Sequence, residues 1–326
     1  MTEEKVLHCT FRIGFTAIQF RSDNPVILRT ALQTFGAVRL TRALEMTPKI
    51  RVSLLACLRK PLPSIPERAI PFYSDSNFRF FLHNGYWLVD YRNLARLRVD
   101  LKKERITGFL KSDSIPKPDS FLELIYPLFE LLRRRGIFSL HAGAVSWQGQ
   151  GLIFPGRAGA GKSTLVLHLV DPGFKFISDD RCLLFKNRAG FFAFGLREKV
   201  RVFLANVACL PRLKVQLGDK PGAKKSFDID EVYPDAIVKK AKIKAIILPF
   251  WTPELKTRLE PVSASYALKT ILPLSVEAFF PDSARYNFEF LGELVEKIPG
   301  FRLYLGKDRE RWHRIIRGLL DKNQKD

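Results

Sequence analysis

The chain has 326 residues, 46% of them hydrophobic, enough for one large core or two moderate ones, which excludes a disordered chain. Its 54 Lys and Arg against 33 Asp and Glu give a formal charge of +21, which favours anionic partners such as polyphosphates, acidic proteins or nucleic acid. Cys9, Cys57, Cys182 and Cys209 form no C-x-x-C pair, which argues against a disulfide framework or zinc site, while the polar start and short apolar runs predict a cytoplasmic protein with no transmembrane segment.

Period-two alternation from Leu7 to Ala17 predicts a half-buried strand, and Ile50 to Leu58 predicts another. A helix is expected near Pro25 to Phe35. Phe78–Leu82 and Tyr86–Tyr91 flank Asn84-Gly85, a pair that tolerates positive φ and therefore predicts a two-residue hairpin. Alternation resumes at Ala95, Leu97, Val99 and Leu101. The first hundred residues thus read as a small, mainly β unit. Lys111 to Asp119, with Pro116 and Pro118 among polar residues, reads as its boundary, which divides the chain into domains over 1–115 and 116–326.

Ser120 with Glu123 three residues on predicts a capping box and a helix that runs to Arg135 and stops at Gly136. Arg133, Arg134 and Arg135 then sit in its last turn, where cations suit the helix C-terminal partial charge, so the triple-Arg run needs no ligand. Ile137–Trp147 and Gly151–Phe154, joined by Gln148-Gly149-Gln150, predict a hairpin. The strand that enters the next loop therefore has an antiparallel neighbour.

That loop is Gly156-Arg157-Ala158-Gly159-Ala160-Gly161-Lys162-Ser163, which matches G-x-x-x-x-G-K-[ST] at every fixed position. Its glycines can turn backbone N–H groups onto phosphate oxygens, and the helix that begins near Gly161 adds its positive end. Lys162 can reach the β- and γ-phosphates, and Ser163 can ligate Mg²⁺. At average glycine usage such an octamer arises by chance in roughly one chain in a hundred of this size. Here it also stands between an apolar strand and an apolar helix over Lys162 to Val170, the context the motif requires. Gly156 to Ser163, with Thr164 following, are the residues expected to hold ATP with Mg²⁺.

Beyond the helix, Phe174–Ile177 predicts a short buried strand that ends at Ser178-Asp179-Asp180. Carboxylates at the carboxyl end of a strand beside a phosphate loop are candidates for the metal and for the base that takes the acceptor proton. Asp179 and Asp180, with Ser163, are thus the expected metal ligands, and either Asp can be the base. Cys182–Phe185, Gly190–Phe194, Val200–Leu204 and Ile243–Pro249 supply further strands, and Leu213 to Asp230 reads as a polar loop. Trp312, Ile315, Ile316, Leu319 and Leu320 fall at helical spacing, a stripe expected to pack onto its own domain.

Taken together, Ser139-Leu140-His141-Ala142-Gly143-Ala144-Val145, Gly151-Leu152-Ile153-Phe154-Pro155 leading into the loop, and Ile177-Ser178-Asp179-Asp180-Arg181 resemble the HPr kinase/phosphorylase family, in particular its HPr-kinase-related serine kinases. A weaker likeness runs through Ala245 to Phe250, around Asn287, and through Pro299 to Leu305. The resemblance implies an α/β, PEP-carboxykinase-like P-loop core with a mixed sheet, and phosphoryl transfer from ATP to a serine or similar hydroxyl. It gives Lys162 to the phosphates, Ser163 and an Asp to Mg²⁺, and Asp179 or Asp180 to the base. It also implies a histidine, His141, close to the site, and Arg285 is a candidate for stabilising transition-state charge. The sequence departs from the phosphorylase-competent enzymes at Thr164 and at Phe194 to Lys199, which leaves the reverse reaction and HPr as acceptor outside what the resemblance implies.

The reading is an ATP-dependent kinase acting on a protein, peptide or small-molecule hydroxyl, with an acidic protein or peptide among the candidate acceptors and a homo-oligomer as an open expectation. Two alternatives are a nucleotide-binding regulator without efficient transfer, and a P-loop ATPase stimulated by nucleic acid, which the charge motivates.

Overall fold

The computed structural model describes residues 6–35, 49–57, 61–111, 118–196, 199–217, 224–275 and 281–322. They form two compact units, Met1–Arg135 and Gly136–Asp326. Each is a mixed α/β structure built on a large mixed sheet.

In the first unit, β1 (Leu7–Ile13) and β2 (Thr16–Ser22) form a hairpin. The single strand expected over 7–17 is broken because Gly14 adopts φ 55°, which turns the chain while the alternation of apolar residues continues through it. Helix α1 (Pro25–Thr34) follows, capped by the Asn24 side chain, which accepts from the Val26 N–H at 2.8 Å. Then come β3 (Ile50–Cys57), β4 (Ile70–Ser74), β5 (Phe78–His83), β6 (Tyr86–Tyr91), β7 (Ala95–Asp100) and β8 (Arg105–Lys111). Asn84 and Gly85 both take positive φ, 49° and 78°, and make the expected β5–β6 turn. Spatial order is β1-β2-β3-β8-β7-β6-β5-β4, with β3 parallel to both neighbours and the other pairs antiparallel.

The expected helix over 120–135 is two helices, α2 (Pro118–Leu124) and α3 (Pro127–Arg134), because Pro127 has no N–H to continue the ladder. Gly136 ends the second at φ 71°, as expected. The two units divide at Arg135/Gly136, and α2 and Tyr126 pack on the first sheet. Phe121 meets Phe20 at 6.0 Å between ring centroids, Tyr126 meets Phe78 at 5.6 Å, and the Tyr91 hydroxyl donates to Glu123. The triple-Arg run is structural: Arg133 and Arg134 pair with the buried Glu130, and Arg135 with Glu104.

The second unit opens with the hairpin β9 (Ile137–Trp147) and β10 (Gln150–Pro155), followed by α4 (Lys162–Val170), β11 (Lys175–Ser178), β12 (Arg181–Asn187) and β13 (Gly190–Gly195). Next are β14 (Val200–Phe203), α5 (Pro211–Leu217), β15 (Lys224–Phe227) and α6 (Ile229–Val232), so the segment read as a polar loop over 213–230 holds regular structure on either side of 218–223, which lie outside the described residues. β16 (Lys240–Trp251), β17 (Arg258–Val262), α7 (Ala264–Ile271), α8 (Pro281–Lys297), β18 (Gly300–Leu305) and α9 (Trp312–Lys322) complete it.

The main sheet runs β10-β9-β12-β13-β16-β18-β17, and β10 also pairs with β16, so the path from β10 through β9, β12 and β13 returns to its start. β10 therefore stands between antiparallel β9 and parallel β16. One side of the sheet buries α4 and α9 in a cluster that includes Phe154, Leu165, Leu169, Trp312, Ile316 and Leu320. The terminal stripe is thus a core-packing face, as expected. The opposite side buries α7 and α8 through Ile271, Phe290, Leu291 and Leu294.

Candidate phosphate-binding site

The Gly156–Ser163 loop links the carboxyl end of β10 to the start of α4. Gly159 and Gly161 take φ 84° and 95°, a region in which a side chain would be strained. The loop is braced by its own backbone: Ala160 N–H donates to Arg157 O at 3.1 Å, and Leu165 N–H to Gly161 O at 2.8 Å. No side chain caps α4, which leaves its first N–H groups facing the loop. Arg157, Ala158 and Gly159 are exposed, Ala160, Gly161 and Ser163 half-buried, and Thr164 is buried in the first turn of α4.

Lys162 is buried, and its Nζ donates to Gly156 O at 2.9 Å and Arg157 O at 3.2 Å, so it spans the space a phosphate would fill. Burial lowers its pKa from the ordinary lysine value, and Asp180 and Asp179 pull the other way.

Asp179 and Asp180 follow β11 directly. Asp179 is 5% exposed, and its pKa is pushed up to about 6, chiefly by burial. The Ser163 hydroxyl and the Arg201 backbone N–H bond to its carboxylate and oppose that rise, and the charge of Asp180 adds to it. Its Oδ1 is nonetheless buried without a hydrogen bond. Asp180 points the other way, exposed, with Oδ1 accepting from His141 Nε2 at 2.7 Å. That bond is the main cause holding its pKa below the usual carboxylate range.

His141 is placed by three strands. It lies on β9 opposite Arg181 of β12, its carbonyl accepts from Gly156 N–H at 3.4 Å, and the next residue, Ala142, donates its N–H to Asp180 O at 3.0 Å. The structure thus gathers Lys162, Ser163, Asp179, Asp180 and His141 around one loop. Beside them a cleft of about 400 Å³ is lined by Ser139, His141, Arg157, Ala158, Asp180, Arg181, Pro273 and Leu274.

Arg285 is not brought in: it is exposed on α8 and bonded to Glu289 at 2.8 Å. Asn287 is buried and donates to Ser275 Oγ at 2.8 Å.

Three contributors were missed from sequence. Arg201 acts through its backbone N–H, which carries no residue signature. Gly143 of β9 lets α4 approach: a Cβ there would lie 2.8 Å from Val166 Cγ2. Trp251 closes on the loop from β16, its Nε1 2.8 Å from where a Cβ on Gly161 would stand. The apolar run into Trp251 was visible, but its parallel pairing with β10 is a long-range contact.

A Ser hydroxyl beside a buried carboxylate with an orphaned oxygen is a hard-oxygen donor set that fits a magnesium ion. Among the described residues no group of three or more His, Cys, Asp or Glu gathers as a metal site. Cys9, Cys182 and Cys209 are not in disulfides, and no described helix is long and apolar enough to cross a membrane.

No family model and no curated protein matches the chain. Among solved structures it is similar to one described as the HPr(Ser) kinase/phosphatase from Coxiella burnetii, with 15% identity over 57% of this chain and 93% of that one, at a TM-score of 0.34. A likeness of that depth is distant structural similarity.

Proposed function

We propose that the chain is an ATP-dependent, Mg²⁺-requiring phosphotransferase that passes the γ-phosphoryl group to a serine or another hydroxyl, on a PEP-carboxykinase-like core. The observation that carries this reading is the pairing of a phosphate loop with two carboxylates in different states, one buried against Ser163 and one ionised against His141.

The loop N–H groups and the start of α4 receive the phosphate oxygens. Lys162, held by carbonyls of the loop it serves, exchanges those bonds for phosphate oxygens and follows the charge that develops on them. Ser163 and Asp179, whose Oδ1 is buried without a hydrogen bond, would hold a magnesium ion, which when bound would offset triphosphate charge. Asp180, ionised and facing the cleft, accepts the proton of the incoming hydroxyl. His141 fixes the Asp180 carboxylate through Nε2, which leaves the second oxygen for that proton. Arg157 and Arg181 line the same cleft and add positive charge where phosphoryl oxygens pass.

The test is transfer from γ-labelled ATP and Mg²⁺ into a lysate of the host, comparing the wild type with the Asp179→Asn, Asp180→Asn double variant. A labelled protein that appears only with the wild type supports a protein kinase and identifies the acceptor by mass. Intact ATP binding with no labelled product of any size from the wild type overturns transfer and favours the regulator.

A further inference from the structure

The sheet of the first unit has two unlike faces. Phe11, Phe20 and Phe78 lie on the covered one, where they meet Phe35, Phe121 of α2 and Tyr126. The pairing registers place the alternate residues of each strand on the other face. There Arg21 of β2 stands beside Ser53 of β3, Arg51 of β3 beside Arg105 of β8, and Thr107 of β8 beside Arg98 of β7. Four adjacent strands thus contribute one arginine each, three of them exposed and Arg51 half-buried. Tyr86 of the next strand, β6, lies under Arg98, whose guanidinium carbon is 3.9 Å from the ring centroid. Phe109 of β8 shares this face and is 37% exposed.

A solvated sheet face is ordinary, but it normally sets opposite charges across its strands, because like charges directly opposite each other are destabilising. Arg51 and Arg105 are direct cross-strand neighbours on backbones about 4.8 Å apart. The nearby carboxylates are engaged elsewhere: Asp90 with Arg79 and Arg96, Glu104 with Arg135, and Asp23 with the Ala56 N–H. Asp100 is the cross-strand neighbour of Arg105 on the β7 side, yet its Oδ1 accepts from the Lys103 N–H. Among the described residues no ion pair takes up Arg21, Arg51, Arg98 or Arg105, so four arginines face one carboxylate. The fold bears that repulsion without an internal partner for it, which directs the arginines to an anion from outside.

Beyond the phosphotransferase reading, we propose that this face binds single-stranded nucleic acid, with phosphates against Arg21, Arg51 and Arg105 and bases against Phe109 and the Arg98–Tyr86 stack. Guanidinium forks match pairs of phosphate oxygens, and both rings and guanidinium planes stack unpaired bases. From β2 to β6 the surface runs four strand spacings, about 19 Å, which is room for several nucleotides. An acidic peptide would answer the charges and leave the ring faces without a planar partner. A duplex keeps its base faces in its own stack, out of reach of rings on an open sheet. Arg79 and Arg96 are no part of the surface, since Asp90 holds both and Arg96 also donates to Pro63 O.

The experiment uses the full chain and a fluorescein-labelled dodecamer of deoxythymidine, read by anisotropy over a series of salt concentrations. A duplex of the same length and a decaglutamate peptide serve as competitors. Arg21→Gln, Arg51→Gln and Arg105→Gln together should weaken binding about a hundredfold and flatten the slope of log affinity against log salt by about 2. Lysine at the same three positions keeps the charge and should keep the slope. Tyr86→Ser with Phe109→Ser should weaken binding about tenfold and leave the slope unchanged. Arg311→Gln, Arg314→Gln and Arg317→Gln, at exposed positions of the second unit, remove the same charge and should change affinity less than about threefold. Melting temperatures identify any variant that fails to fold. Equal loss in the two glutamine triples would reduce the binding to net charge and overturn the proposal. It is overturned as well by wild-type affinity in the first triple, by tighter binding of the duplex or the peptide, or by a wild type that does not bind the strand. The titration holds no ATP, so its outcome is independent of the transfer assay.

Discussion

Asp179 and Asp180 are consecutive, yet one is 5% exposed and bonded to Ser163 while the other stands in solvent with His141 Nε2 at 2.7 Å from its Oδ1. A strand end turns successive side chains to opposite sides, and here that alternation separates a buried carboxylate from an ionised one. The proposed function accordingly gives the metal to Asp179 and the acceptor proton to Asp180.

If Asp180 is the base, Asp180→Asn lowers the transfer rate about 10²- to 10⁴-fold while the ATP dissociation constant stays within about threefold of wild type. His141→Ala, which frees the carboxylate without removing it, costs about tenfold. Labelled transfer together with calorimetric ATP titration separates the two effects, and a large loss of ATP affinity in Asp180→Asn would reassign it to the nucleotide.

Stability of the metal-free protein depends on pH through Asp179. Its folded pKa, about 6, lies above the ordinary carboxylate value of 3.8, so between these values the folded state keeps a proton the unfolded chain has released. Stability from this group therefore falls as pH rises from about 4 to about 6, by up to about 3 kcal/mol. Asp179→Asn should flatten that part of the profile and stabilise the metal-free chain near neutral pH, while the rise in melting temperature with Mg²⁺ and ATP disappears. Asp180, with its pKa lowered, acts in the opposite sense and loses its contribution as pH falls. Thermal melts of both variants between pH 4 and 8 check the signs.

Lys162→Ala should weaken ATP about a hundredfold, near 2.7 kcal/mol, because a buried cation aimed at the phosphates is removed. Its bonds to Gly156 O and Arg157 O show that the loop also uses this side chain as an internal brace. Lys162→Arg is therefore no substitute in a loop this tight, and calorimetry should find both variants deficient. Wild-type affinity in Lys162→Ala would remove the phosphate-loop assignment.

Gly195→Ala should damage the site from a distance. A Cβ at Gly195 would lie 1.7 Å from the carbonyl oxygen of Ile177, a backbone atom two residues before Asp179. One strand must move, at a cost of about 1–3 kcal/mol or more. Transfer should fall further than the folded fraction does. Circular dichroism and activity measured on the same sample distinguish this from simple unfolding.

What the sequence disclosed was local. The octamer at 156–163, the Asn84-Gly85 turn, the hairpin before the loop and the helix stop at Gly136 all follow from short-range backbone requirements, and all appear in the structure. Gly14 and Pro127 were misread because the apolar pattern runs on through the break, so periodicity outweighed a single residue. The parallel partners β16 and β18, and the Arg201 N–H at Asp179, depend on contacts between distant segments and on backbone atoms, which leave no mark on residue type. The opposite burial of Asp179 and Asp180 belongs to the same class: the pair was legible as a motif, its division of labour only as geometry.

The β9–β10 hairpin carries Ala142 opposite Pro155, and one step further His141 O meets Gly156 N–H. The distance from base pair to phosphate loop is therefore a pairing register, counted from the Gln148-Gly149 turn, and not the outcome of side-chain packing. A ruler of this kind tolerates substitution along its length but not a change of count. Deleting one residue from that turn would bring Leu140 or Ala142 to the place of His141 while leaving every motif intact. Among relatives of this chain, insertions should accumulate in the 197–239 excursion and be absent between 137 and 163, even where identity between the sequences has decayed.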